Sequence, residues 1–172
     1  MRITHEQIDE IMSSFETLEL DENSPSLQFD VATLQQRFNA QLEPLLDAAQ
    51  LDAESLALMQ KLLLINEYQL HTDEESGLEF FVNIFGDTIG LFGLAELGGN
   101  FKILRLCFTV PENQREAQTL NFVIHAFTKI FLPDINGKEF IEMLKSKPTV
   151  TRGVKLSLMQ KDNLLVVSAI GK

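Results

Sequence analysis

The chain of 172 residues is 45% apolar and 23% charged, the size of one domain and too apolar for a disordered acidic tail. Its net charge of −11 is confined to one half: residues 1–77 hold sixteen acids against Arg2, Arg37 and Lys61, a net of −13, and residues 78–172 hold nine acids against eleven bases, a net of +2. Such a field disfavours unaided binding to nucleic acid or to an anionic membrane and favours a cationic partner.

A helix starts almost at once. Thr4 and Gln7 have capping-box spacing, Ile3 and Ile8 stand as a hydrophobic staple, and Ile8, Ile11, Met12, Phe15 and Leu18 form one apolar stripe, which predicts a helix over 4–18. The turn formers from Asp21 to Ser26 make a loop. Thr33 and Gln36 repeat the capping spacing ahead of Leu34, Phe38, Leu42 and Leu45, and Pro44 is expected to kink or end that helix near Leu42. Asp52 caps a third helix, with Leu51 and Leu56 at staple positions. Residues 1–60 thus read as an acidic helical region of a single domain.

From Leu62 the pattern changes, and residues 62–71 fit either a strand or the end of the third helix. Leu78, Phe80, Val82 and Ile84 alternate with Glu79, Phe81, Asn83 and Phe85, which predicts a strand, and Gly86-Asp87 has the form of a two-residue hairpin turn. Gly90 and Gly93 mark Thr88 to Leu97 as a bulged strand before a turn at Gly98-Gly99-Asn100. In Phe101 to Val110, Leu104, Leu106, Phe108 and Val110 face one way and Ile103, Arg105, Cys107 and Thr109 the other.

A long amphipathic helix follows, carrying Ala117, Leu120, Val123, Ile124, Phe127, Ile130 and Phe131 and stopped by Leu132-Pro133. Asn136 and Glu139 cap a shorter helix with Phe140, Ile141 and Leu144. Beyond Pro148 come two strands, Val154 to Gln160 and Leu164 to Ile170, with a turn at Lys161-Asp162-Asn163. The order ααα-βββ-αα-ββ defines an α+β fold: amino-terminal helices, then over 61–172 a mainly antiparallel sheet of about five strands with two inserted helices.

Chemical signatures are sparse. Cys107 is the only cysteine, so no intramolecular disulfide forms, which suits a reducing compartment. The start Met-Arg-Ile-Thr-His-Glu has no apolar signal core, and the most hydrophobic window, Leu78 to Leu97, is broken by Glu79, Asn83, Asp87 and Glu96; the expected location is cytoplasmic. His5, His71 and His125 are too scattered for paired zinc ligands. The pair His5 and Asp9 reads as a solvated helix face, and His125 lies off the apolar face of its helix, away from Cys107. The segment Asp134 to Lys145 has Lys138, Glu139 and Lys145 where an EF-hand loop needs its fifth ligand, its glycine and its final carboxylate. The glycines at 86, 90, 93, 98 and 99 match no phosphate-binding spacing and lie with Asp87 and Glu96 but no base. No Gly-x-Ser-x-Gly elbow occurs. No cofactor, metal or catalytic group is therefore expected.

The expected function is a non-catalytic acidic module that covers a basic surface on a partner protein, as monomer or homodimer. Immunity proteins and secretion chaperones share this size and charge, and no motif of either occurs. The candidate contact residues are Glu16, Glu19, Asp21, Glu22, Asp73, Glu74 and Glu75. The alternative is a ligand-binding or sensory domain with Phe80, Phe81, Phe85, Phe92 and Phe101 around an apolar pocket. The basic residues Lys138, Lys145, Lys147, Arg152, Lys155 and Lys161 are expected to offset the charge of the acidic helices.

Overall fold

The computed structural model describes residues 2–21, 23–74 and 76–172. Its elements are α1 (His5–Ser14), a single 3-10 turn (Glu16–Leu18), α2 (Val31–Ala48), α3 (Ala53–Leu63), β1 (Gln69–Asp73), β2 (Leu78–Phe85), β3 (Ile89–Glu96), β4 (Phe101–Thr109), α4 (Gln114–Phe131), α5 (Gly137–Ser146), β5 (Thr149–Thr151), β6 (Val154–Lys161) and β7 (Leu164–Gly171). Every strand pair is antiparallel and the seven-stranded order is β1-β2-β3-β4-β7-β6-β5. The class is the expected α+β, with two strands more than expected. β5 is only three residues long, and β1 is almost wholly exposed, so its side chains carry no alternation of burial.

Local capping explains the helix starts. At α1 the Thr4 side chain accepts from the Gln7 N–H while Gln7 Oε1 accepts from the Thr4 N–H at 3.0 Å, the reciprocal box that the spacing implied. Asn113, Asp52 and Asn136 cap α4, α3 and α5 in the same manner from the N-cap side. α2 differs from expectation. Its cap is Asp30, whose carboxylate accepts from the Thr33 N–H at 2.8 Å, so Thr33 is inside the helix. Nor does Pro44 end it, because α2 continues to Ala48 with Leu42 and Leu46 both buried. Burial of these two leucines offsets the hydrogen bond that proline removes.

Three other boundaries move. α1 stops at Ser14 and gives way to the 3-10 turn, leaving Leu18 exposed. Residues 62–71 divide: the helix runs to Leu63, a linker follows, and the strand begins at Gln69. The β2–β3 hairpin closes with Phe85 opposite Ile89, so its turn is Gly86-Asp87-Thr88 and not two residues. The bulge in β3 falls at Leu94/Ala95, in the strand where it was expected. Gly93 serves packing there, since a Cβ would stand 2.8 Å from the Phe101 ring.

The sheet has two unequal sides. Its inner face packs Phe81, Phe85, Leu91, Leu104, Leu106, Leu156 and Val167 against α2 to α5, which supply Leu34, Phe38, Leu42, Val123, Phe127 and Phe140. Its outer face carries Leu78, Val82, Phe92, Leu94, Ile103, Cys107, Leu164 and Val166, and α1 lies over it through Ile11 and Phe15. Between these layers residues 23–30 run beside the end of the sheet. A Cβ on Gly171 would run into the Pro25 carbonyl oxygen there, and Leu27 and Phe29 pair with the Phe101 backbone at 2.7 and 3.0 Å.

Candidate functional site

The acidic residues of the amino-terminal segment and of the β1–β2 hairpin converge, although more than fifty positions separate them in the chain. Phe15, Leu20, Phe80 and Leu94 floor a cleft of about 260 Å³ at the margin of α1, and Glu16, Glu19, Asp21, Asp73 and Ser76 complete its lining. Phe15 and Phe80 are in ring contact at 6.0 Å. Among the described residues the lining contains no base. The structure therefore gathers Glu16, Glu19, Asp21 and Asp73 into one site. Glu74 lies in the adjoining turn, and Glu22 and Glu75 fall outside the described residues.

Each wall of the cleft is held by its own local bonds. The 3-10 turn ends with Glu19 at a φ of 50°, in the left-handed region, which turns the chain toward Asp21. Asp21 Oδ1 accepts from the Asn23 N–H at 2.8 Å, and the Asp21 N–H donates to Ser24 Oγ at 3.0 Å. Opposite, Asp73 Oδ2 accepts from the Ser76 hydroxyl at 2.7 Å and the Asp73 carbonyl accepts from the Gly77 N–H at 3.0 Å. These turns set the carboxylates at the rim, while the apolar floor is shared by the sheet through Phe80 and Leu94 and by the end of α1 and the following loop through Phe15 and Leu20.

Two buried bases support this region, and a charge inside the apolar run Phe101 to Thr109 was the signal that could have revealed them. Lys102 is 1% exposed. Its Nζ donates to the Ser24 carbonyl at 2.5 Å, to Ser26 Oγ at 2.9 Å and to Glu96 Oε1 at 2.7 Å, which ties the loop behind Asp21 to β3 and β4. That hydrogen bond holds the Glu96 carboxyl below its ordinary range. Arg105 is different. It is 8% exposed, its Nη1 donates to Ser14 Oγ at 2.6 Å, its guanidinium stands 4.9 Å from the Phe15 ring centre, and its Nε has no partner. Burial accordingly lowers its pKa. Arg105 is thus a buried cation facing a hydroxyl and an aromatic ring in place of a carboxylate.

The other sequence candidates separate. Cys107 is buried on the outer face and its thiol is pushed up to about 12 by burial. His125 belongs to α4 on the opposite side of the sheet, so the two form no dyad. Burial, and then Lys129, lowers the His125 pKa. Of the five phenylalanines considered for a pocket, Phe81, Phe85 and Phe101 are in the inner core and Phe80 and Phe92 in the outer one. Of the carboxyl-terminal bases, Lys161 reaches the acidic helices, pairing with Glu10 at 3.3 Å, while Lys145 pairs with Glu142 on its own helix. Among the described residues no group of three or more His, Cys, Asp or Glu is placed to hold a metal ion, and no helix is long and apolar enough to cross a membrane.

Comparison of the chain with protein-family models, with curated proteins and with solved structures finds no match in any of the three.

Proposed function

We propose that this protein is a non-catalytic binding module whose acidic cleft receives a basic surface of a partner protein. The observation that supports it is the convergence of Glu16, Glu19, Asp21 and Asp73 on one apolar-floored cleft that, among the described residues, is lined by no base. A partner that places an apolar side chain on Phe15, Phe80 and Leu94 and brings Lys or Arg to the rim uses burial for affinity and charge for rate and orientation. The charge half of that scheme is screened over about 8–10 Å at physiological salt. Capture experiments from lysate at low and high salt, with wild type and with the double variant Glu16→Lys, Glu19→Lys, test it. The captured protein is expected to be basic, to be recovered less at high salt, and to be lost in the charge-reversed variant. Recovery that is indifferent to salt, or that is lost on neutralising Lys138 and Lys145 but not on reversing Glu16 and Glu19, sinks the reading.

A further inference from the structure

One row of the outer sheet face is polar. Arg105 of β4 stands opposite Ser168 of β7, and Ser168 stands opposite Ser157 of β6. Leu104, Leu106, Val167 and Leu156 belong to the inner core, so strand alternation puts Arg105, Ser168 and Ser157 on the outer face. The rows on either side are apolar, Ile103 with Ile170 and Cys107 with Val166. Ser14 of α1 closes over one end, accepting from Arg105 Nη1 at 2.6 Å while its own hydroxyl donates to the Ile11 carbonyl. A guanidinium and three hydroxyls thus form one polar strip in an apolar surface.

The charge of Arg105 is not answered within the chain. The residue is 8% exposed, its Nε is buried without a hydrogen-bond partner, and among the described residues no carboxylate pairs with it. Lys102 shows the ordinary arrangement on the same strand, since it is buried against the Glu96 carboxylate. The Phe15 ring near the guanidinium offers a quadrupole, which offsets less of the cost of burial than an anion does. A buried cation with a spare donor is complementary to an oxyanion. The planar N–H donors of arginine match carboxylate and phosphate oxygens alike, and the hydroxyls of Ser168 and Ser157 supply donors for the additional oxygens of a phosphate. The strip is open toward β6. Ser157 is half-buried, and Lys155 and Met159, which flank it on the same face, are exposed, so Lys155 adds positive charge at the entrance. Glu10, the acid of α1 that reaches β6, is paired with Lys161.

We propose that Arg105, Ser168 and Ser157 bind a phosphate group that enters from the β6 side, with the Arg105 Nε–H and the serine hydroxyls as donors. The site uses none of the acidic residues of the cleft, and it gives a module that receives a basic partner a second, anionic ligand. Binding neutralises the cation beneath α1, so phosphate holds this helix on the sheet.

Inorganic phosphate and phenyl phosphate are the probes, with chloride at matched ionic strength as the control. Both are expected to raise the melting temperature of the wild type saturably, as a ligand of the native state does. Arg105→Met is expected to lose the saturable part and to keep only the general stabilisation that phosphate gives by exclusion from protein surfaces. Ser168→Ala is expected to bind about tenfold more weakly, and it serves if the arginine variant does not fold. On titration of the wild type, the Arg105 Nε–H proton resonance is expected to move downfield, together with shifts of the Ser157 and Ser168 backbone amides. The tighter probe identifies the source of the group: phenyl phosphate an organic phosphomonoester, inorganic phosphate the free ion. Stabilisation that never saturates, equal stabilisation of wild type and Arg105→Met, or an Arg105 Nε–H resonance that stays in place overturns the site. Glu16→Lys, Glu19→Lys is expected to retain phosphate binding, so loss of the acidic cleft and loss of this site are read separately.

Discussion

Both faces of the sheet bury apolar side chains, but they are unequally covered. Four helices pack on the inner face, with Phe38, Phe127 and Phe140 at 1% exposure or less. The outer face is covered by α1 alone, a helix of ten residues whose buried contribution is Ile11, followed by Phe15 at its C-cap. The inner layer has the many mutual contacts of a cooperative core, and the outer helix, with its smaller buried contribution, is expected to open without disturbing them. Most of the buried apolar side chains therefore lie on one side, and the acidic cleft lies on the other, beside the short helix α1.

The largest effect that would break this contrast concerns the two sets of rings. Phe38→Ala empties a site that is 0% exposed and stacked at 5.3 Å on Phe85, and it is expected to lower global stability by about 3–5 kcal/mol in denaturant melts. Phe15→Ala removes a ring that is 2% exposed and is expected to cost less, because the loss is capped by the free energy that holds α1 to the sheet. Hydrogen exchange should then rise over α1 and the 19–30 segment while the sheet amides stay protected. Equal losses for the two variants, with exchange rising everywhere, would show that both layers unfold as one unit.

The buried bases sharpen the contrast. Lys102→Met removes a donor to Ser24, Ser26 and Glu96 and should cost about 1–3 kcal/mol, by leaving acceptors unpaired. Arg105→Met removes a buried cation that has no carboxylate and an orphaned Nε. It is expected to leave stability unchanged or to raise it by about 1 kcal/mol. A loss comparable to that of Lys102→Met would mean that the Ser14 and Phe15 contacts hold α1 in place more firmly than their geometry indicates.

How far the sequence carried this picture depended on the range of the interactions involved. Thr4 with Gln7, Asn136 with Glu139 and the alternation of β4 are local, and each has the structural role its spacing implied. Thr33 and Pro44 misled because the outcome was decided elsewhere: Asp30 is the better N-cap by three positions, and burial of Leu42 and Leu46 carries α2 past the proline. The charge asymmetry pointed to the acidic half, yet the meeting of Glu16, Glu19 and Asp21 with Asp73 depends on the β1–β2 hairpin lying beside α1.

A smaller effect is set by pH. The Glu96 carboxyl is held below its ordinary range first by the hydrogen bond from Lys102, so the folded state binds a proton less readily than the unfolded chain. Its contribution is present above the unfolded carboxylate value of about 4.3 and is lost as pH falls through the folded value. Asp30 and Asp52 are lowered in the same direction by backbone bonds from Thr33 and Ser55, so the wild type should lose stability in acid from several sites at once. Glu96→Gln isolates one of them. The stability gap between wild type and this variant should close on acidification through that window, and a gap that is constant with pH would deny the coupling between Glu96 and Lys102.

The smallest expected effect tests whether charge helps to hold the outer helix. Lys161 and Glu10 join β6 to α1 at 3.3 Å, but their side chains remain 68% and 56% exposed. Water already solvates both groups well, and ordering two long side chains offsets most of the Coulomb gain, so such pairs contribute about 0–1 kcal/mol. Lys161→Ala is expected to change stability by less than about 0.5 kcal/mol, and the difference should vanish as salt screens the pair. A loss above about 1 kcal/mol that persists at high salt would mean that the basic carboxyl-terminal strand anchors α1. The outer layer would then be held by its rim as well as by Ile11 and Phe15, and reversing charges around the acidic cleft would loosen the helix along with the partner.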